Sequence, residues 1–160
     1  MRVGSASRTT FQKASSPSSA SDDRFLVEGL RKEMDSSQNN NIREALLLVR
    51  PHPSNSDMYR DFEMKGVVVM PKDPTPPGTK EAQLLALRQF RTASVAIGVN
   101  TSAMFEAMVQ KTPVISYLVP AFSETQSEAE HFRELEESGA VALVRSDEEA
   151  LLEFEKIANG

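Results

Sequence analysis

The sequence predicts an α/β protein: a doubly wound, Rossmann-like parallel sheet in three layers, α/β/α. Three observations lead there. Beyond residue 21, short apolar runs alternate with longer amphipathic stretches. The runs are dominated by Leu, Val, Ile and Ala rather than alternating strictly with polar residues, as befits strands covered on both faces. The segments between them are long enough for helical crossovers, so consecutive strands are expected to lie parallel.

Taken in order, residues 5–21 are rich in Ser and carry only one large apolar residue, Phe11. Such a stretch buries too little surface to offset its ordering entropy and is expected to be a flexible segment. The domain proper is then 22–160. Asp22 and Asp23 can cap a helix with Phe25, Leu26, Leu30 and Met34 as its apolar stripe. Residues 36–41 are a polar break. The run 45–49 reads as a strand buried on both faces, ended by Arg50-Pro51-His52-Pro53. Residues 57–64 suggest a short helix, and Val67 to Met70 a second strand closed by Pro71.

Pro74, Pro76, Pro77 and Gly78 mark a loop. Leu84, Leu85 and Leu87 lie at helical spacing within 80–90, and residues 94–98 form a third strand. A helix over 101–110 follows, then a strand over 114–119, a loop over 120–127 and a helix over 128–138. A fifth strand at 141–144 and a helix over 147–157 close the chain. Glu134, Glu136 and Glu137 read as the solvated face of their helix.

Composition excludes several chemistries. Lys and Arg number 18 against 23 Asp and Glu, a net charge of −5, which argues against a nucleic-acid or acidic-membrane surface. With no Cys there is no disulfide frame, thiolate zinc site or cysteine nucleophile, and two His make a multi-histidine metal site unexpected. No apolar run approaches the roughly 18 residues of a membrane span. The first residues lack the apolar core of a signal peptide, so a cytoplasmic location is expected. Gly-x-Gly-x-x-Gly, a Walker motif, Gly-x-Ser-x-Gly and Asp-x-Asp are all missing.

In a doubly wound sheet, ligands sit outside the carboxyl ends of the strands. That rule selects the loops at 50–56, 98–102 and 120–127. The most informative stretch is Gly98-Val99-Asn100-Thr101-Ser102-Ala103-Met104-Phe105-Glu106-Ala107, running from a strand end into a helix start. Gly98 permits close backbone approach. Asn100, Thr101 and Ser102 supply a cap, hydroxyls and free N–H groups, a set suited to phosphate. Ser102 and Glu106, four apart, share a helix face, with Met104 and Met108 turned to the core. Glu106 then stands about one turn below a bound phosphate, where its carboxylate can accept from ribose hydroxyls. In the Arg50–Pro53 turn two prolines stiffen the backbone, and Arg50 and His52 can both donate to phosphate oxygens. His131, near the start of its helix, follows Phe122 and Gln126 of the preceding loop.

The 98–107 run, Lys111-Thr112-Pro113-Val114, Phe122, Gln126, His131-Phe132 and Leu135 together resemble the C-terminal half of bacterial GT-B-type glycosyltransferases. The likeness is greatest to capsule-polysaccharide-like members. It is more distant to CDP-glycerol glycerophosphotransferases and UDP-N-acetylglucosamine 2-epimerases. It spans roughly residues 46–152. The resemblance implies a domain that binds the nucleotide of an activated donor, with Glu106 on the ribose, Thr101 and Ser102 at the diphosphate and His52 near the phosphates. Phe122, Gln126 and His131 would belong to a donor loop. It implies no metal and no cofactor beyond a nucleoside-diphosphate sugar as substrate. It also implies a second, N-terminal GT-B domain as partner, without which turnover is not expected. Two alternatives stand beside it: a non-catalytic Rossmann-like binding module, and part of a sugar-nucleotide epimerase.

Overall fold

The computed structural model describes residues 22–52, 55–72, 78–99, 102–120 and 130–159, without the side chains of 130 and 131. The expectations for 5–21, for the prolines at 74–77 and for most of the 120–127 loop lie outside those residues.

The chain is mixed α/β. Helix α1 (Arg24–Ser36) and the short α2 (Asn40–Glu44) lead into β1 (Leu47–Val49). A 3-10 turn (Ser56–Tyr59) precedes β2 (Val67–Val69), and α3 (Lys80–Thr92) leads to β3 (Ala96–Gly98). Then come α4 (Ser102–Val109), β4 (Val114–Tyr117), α5 (Glu130–Glu137), β5 (Ala142–Val144) and α6 (Asp147–Asn159). All strand pairings are parallel, as the crossover lengths require. They form two sheets: β1 with β2, Leu48 opposite Val68, and β3-β4-β5, with Ile97 opposite Ile115 and Ser116 opposite Leu143.

The three-stranded sheet has apolar packing on both faces. Neighbouring residues feed different cores: Ile97, Ile115 and Ala142 go to one, Ala96, Val114 and Leu143 to the other. The first core is closed by Leu26, Leu30 and Met34 of α1 with Ala150 and Phe154 of α6. The second is closed by Met104 and Ala107 of α4 and Leu135 of α5, with Phe90 of α3 against it. The run at 114–117, apolar apart from Ser116 and the Tyr117 hydroxyl, therefore does mark a strand buried on both sides.

The β1–β2 sheet corrects the same inference for 45–49. Its inner side chains, Leu47, Val49, Val67 and Val69, pack under Val27 and Tyr59. Its other face is only partly covered, because Leu48 is 41% and Leu46 69% exposed. An apolar run alone does not reveal that one face has lost its cover.

Three helix readings also change. Phe25 is exposed, and the inward stripe of α1 is Leu26, Val27, Leu30, Arg31 and Met34. Asp23 is the N-cap of α1 but makes no side-chain cap bond; its carboxylate instead accepts the Tyr59 hydroxyl at 2.7 Å. Within the polar break, the Asn39 side chain accepts from Asn41 N at 2.9 Å and starts α2. In α3 the buried residues are Ala82, Ala86 and Gln89, while Leu84 and Leu87 are exposed. Small inward residues let α3 lie close, and the leucines flank that contact. Glu134, Glu136 and Glu137 are exposed as expected.

Arg31 ties the first third of the fold together. It is 1% exposed. Its Nη1 donates to Ala45 O at 2.7 Å, and its Nη2 to Arg43 O and to Asp35 Oδ1, both at 2.9 Å. Gly66, at φ +78°, lies over the guanidinium; a Cβ there would come within 3.2 Å of Arg31 Cδ and Nη1. Gly66 O in turn accepts Leu47 N at 2.9 Å, fixing the start of β1.

A second close approach joins α1 to α6. A Cβ on Gly29 would stand 2.8 Å from Asp147 Cγ, and Asp147 Oδ1 accepts the Tyr117 hydroxyl at 2.6 Å. In an exposed helix Gly→Ala gains about 1 kcal/mol. Here the methyl displaces the carboxylate and breaks the Tyr117 hydrogen bond to a charged acceptor, a loss of about 1.5–3 kcal/mol. Gly29→Ala is expected to lower the urea midpoint. In a Tyr117→Phe background, where Asp147 is free to turn away, the same change should raise it. A rise in both backgrounds would show that Asp147 is not held there.

Candidate functional site

In a parallel sheet every strand delivers its following loop to one edge. Arg50 and His52 leave the carboxyl end of β1; Gly98 and Ser102 flank the turn from β3 into α4. Gly98 ends β3 opposite Ser116, whose hydroxyl donates to Val99 O at 3.4 Å and so steadies this turn from the neighbouring strand. Ser102 opens α4 and is exposed. Glu106, one turn on, is also exposed, and its side chain makes no ion pair or hydrogen bond with another described residue. Met104 and Ala107 face the core, which fixes the face that Ser102 and Glu106 share outward. Asn100 and Thr101 lie outside the described residues, as do Phe122 and Gln126; His131 is in α5, its side chain not described.

Arg50 is exposed, and its Nη1 donates to Gln89 Oε1 at 2.8 Å. This hydrogen bond runs to α3, not to the β3–α4 turn. Among the described residues no carboxylate lies within ion-pair distance of Arg50. His52 is half-buried, and its carbonyl accepts Asn55 N at 2.8 Å, closing the turn behind it. Burial pushes the imidazole below its ordinary pKa, and the nearby Asp23 carboxylate pulls the other way to a lesser degree. At neutral pH the imidazole is therefore an uncharged ring offering one N–H donor. Arg50 is the cation of the β1 turn.

Asp23, Tyr59 and Gln89 support this edge; the sequence reading took Asp23 only as a helix cap and overlooked Tyr59 and Gln89. Tyr59, 1% exposed, joins the 3-10 turn to the start of α1 through Asp23. Burial, then the hydrogen bond to Asp23, raise its pKa beyond the normal tyrosine range, so it remains a phenol and a donor. The signal for Gln89 was present: at Ala82, Ala86 and Gln89 the spacing is four and three, a helix stripe with an amide among alanines.

The carboxyl end of β1 carries a guanidinium and a neutral imidazole, and that of β3 ends in a glycine and leads into a helix start, with an exposed carboxylate one turn down; the two strands belong to separate sheets. Among the described residues no group of three His, Asp or Glu stands close enough to hold a metal ion. No described helix is long and apolar enough to cross a membrane. Comparison of the chain with protein-family models, with curated proteins and with solved structures found no match in any of the three.

Proposed function

We propose that this chain is the donor-nucleotide-binding domain of a glycosyltransferase-like protein of the GT-B type. It binds a nucleoside-diphosphate sugar without a metal, at the carboxyl ends of β1 and β3. Under this reading the two sheets are halves of one doubly wound, three-layer Rossmann-like unit in the order β2-β1-β3-β4-β5. Leu47 supports this, since it packs against the first core and the third. Strand order then reverses between β1 and β3, where such folds bind ligands. The observation that carries the proposal is that a cation-bearing turn and a helix-opening turn both leave the carboxyl ends of parallel strands.

Ser102 and the backbone N–H groups of the first turn of α4 face the phosphates, with Arg50 supplying a full charge. His52 adds one neutral donor. Glu106 would repel a phosphate set beside it and instead accepts from the ribose hydroxyls. The domain works in the cytoplasm beside an acceptor-binding domain, which completes the chemistry. A second reading, a Rossmann-like module that binds a protein partner, draws on the exposed Leu84 and Leu87 of α3 and Phe105 and Val109 of α4.

Calorimetric titration of wild type and Glu106→Ala with UDP, GDP and CDP separates the two. Truncating Glu106 leaves ribose hydroxyls unpaired, a loss of about 1–3 kcal/mol. That is roughly 5- to 150-fold in affinity. If a nucleotide binds and Glu106→Ala leaves its affinity unchanged, the ribose assignment is wrong. If none of the three binds, the module reading replaces the first.

A further inference from the structure

Arg50 is anchored by a neutral amide. Gln89 is 9% exposed, on the inward face of α3. Its Oε1 accepts Arg50 Nη1 at 2.8 Å, and its Nε2 donates to Met70 O, one residue past β2, at 3.3 Å. A carbonyl can only accept, so Met70 O fixes which end of the amide faces it. The nitrogen points to Met70, and the oxygen is left to face the guanidinium. The reverse orientation would set two acceptors together at Met70 and two donors together at Arg50. The ends of β1 and β2 and the inner face of α3 thus combine to orient one arginine.

The chemistry of that anchor matters. A carboxylate at position 89 could still hold Arg50, but it would cancel the charge and set an acceptor against Met70 O. An apolar residue would leave the charge and lose the orientation. An amide gives direction without neutralisation, which suits a cation reserved for an anion from outside the chain. We infer that Gln89 is a positioning residue that holds Arg50, its charge uncompensated by any carboxylate among the described residues, for the diphosphate group of the ligand. This rests on the proposed nucleotide site and assigns it a residue outside the turns that would touch the ligand.

The test titrates inorganic pyrophosphate, and separately UDP, GDP and CDP, into wild type, Arg50→Met, Gln89→Met, Gln89→Glu and the Arg50→Met/Gln89→Met double variant. Thermal unfolding of each variant checks that it is folded. Losing a charge-assisted hydrogen bond corresponds to about tenfold or more in affinity, the expected effect of Arg50→Met on pyrophosphate. Gln89→Glu is expected to match that loss and to flatten the salt dependence of binding, because the new ion pair spends the charge within the protein. Gln89→Met should weaken binding severalfold in the wild-type background and not at all in the Arg50→Met background. A merely structural role for Gln89 would lower affinity equally in both.

Unchanged pyrophosphate affinity in Gln89→Glu overturns the inference, as does an equal effect of Gln89→Met in both backgrounds. So does a wild type that binds no pyrophosphate. Pyrophosphate binding with these dependences but no nucleotide binding would sustain the inference and remove the nucleotide reading. Arg50 is exposed and Gln89→Glu is nearly isosteric, so the comparison stands even if Gln89→Met does not fold.

Discussion

Arg31→Met is expected to cost the fold about 2–4 kcal/mol, since two part-buried carbonyls lose a charged donor and hydrogen bonds to charged groups contribute about 1.5–3 kcal/mol each. The guanidinium is almost fully enclosed, and its hydrogen bonds to Ala45 O and Arg43 O hold the chain between α2 and β1 against α1. Some of the loss is returned, because Arg31 Nε is buried without an acceptor and methionine removes that defect. The Asp35 contact adds little, since the Asp35 carboxylate is well exposed. Arg31→Lys should fall between wild type and Arg31→Met, as one ammonium cannot span all three acceptors. Urea unfolding measures this as a lower midpoint at unchanged slope. A loss below about 1 kcal/mol would mean that water satisfies those carbonyls as well as the arginine does.

Tyr59→Ala is the other large effect. Tyr59 is central to the smallest core, with Val27, Val49 and Val69, and meets Phe62 edge-on at 5.6 Å between ring centroids. Truncating a buried aromatic costs about 3–5 kcal/mol through lost transfer energy and the cavity left behind. Tyr59→Phe keeps the ring and removes only the hydrogen bond to Asp23, a smaller loss of about 1–2 kcal/mol. The difference between the two variants separates packing from tethering. Equal losses would show that the Asp23 bond, not the ring, holds the 3-10 turn to α1.

The parallel α/β character was legible because strand and crossover lengths leave little freedom: Val67, Ile97, Ile115 and Leu143 all lie in strands that pair as the alternation requires. The Ser102–Glu106 face was legible too, since Met104 and Ala107 must point inward once residues 102–109 are helical. Tertiary cover was not legible. Leu46 and Leu48 read like Val114 and Ile115, yet only the second pair is enclosed, because cover comes from elements distant in sequence. The inward stripe of α3 was missed for a related reason: three leucines outweigh two alanines and a glutamine on any hydropathy scale, but close helix approach favours small residues. Arg31 and Gln89 were overlooked because a polar residue on an apolar stripe shows its use only when its acceptors, Ala45 O or Met70 O, come from other segments.

The proposal that a nucleoside diphosphate binds where β1 and β3 end is open to a backbone amide NMR titration with UDP, GDP and CDP. At least one of them is expected to shift the amides of Arg50, His52, Gly98, Ser102 and Glu106 together, saturably, with β5 and α6 unmoved. Shifts confined to α5 and α6, or no saturable shift with any of the three, would contradict it.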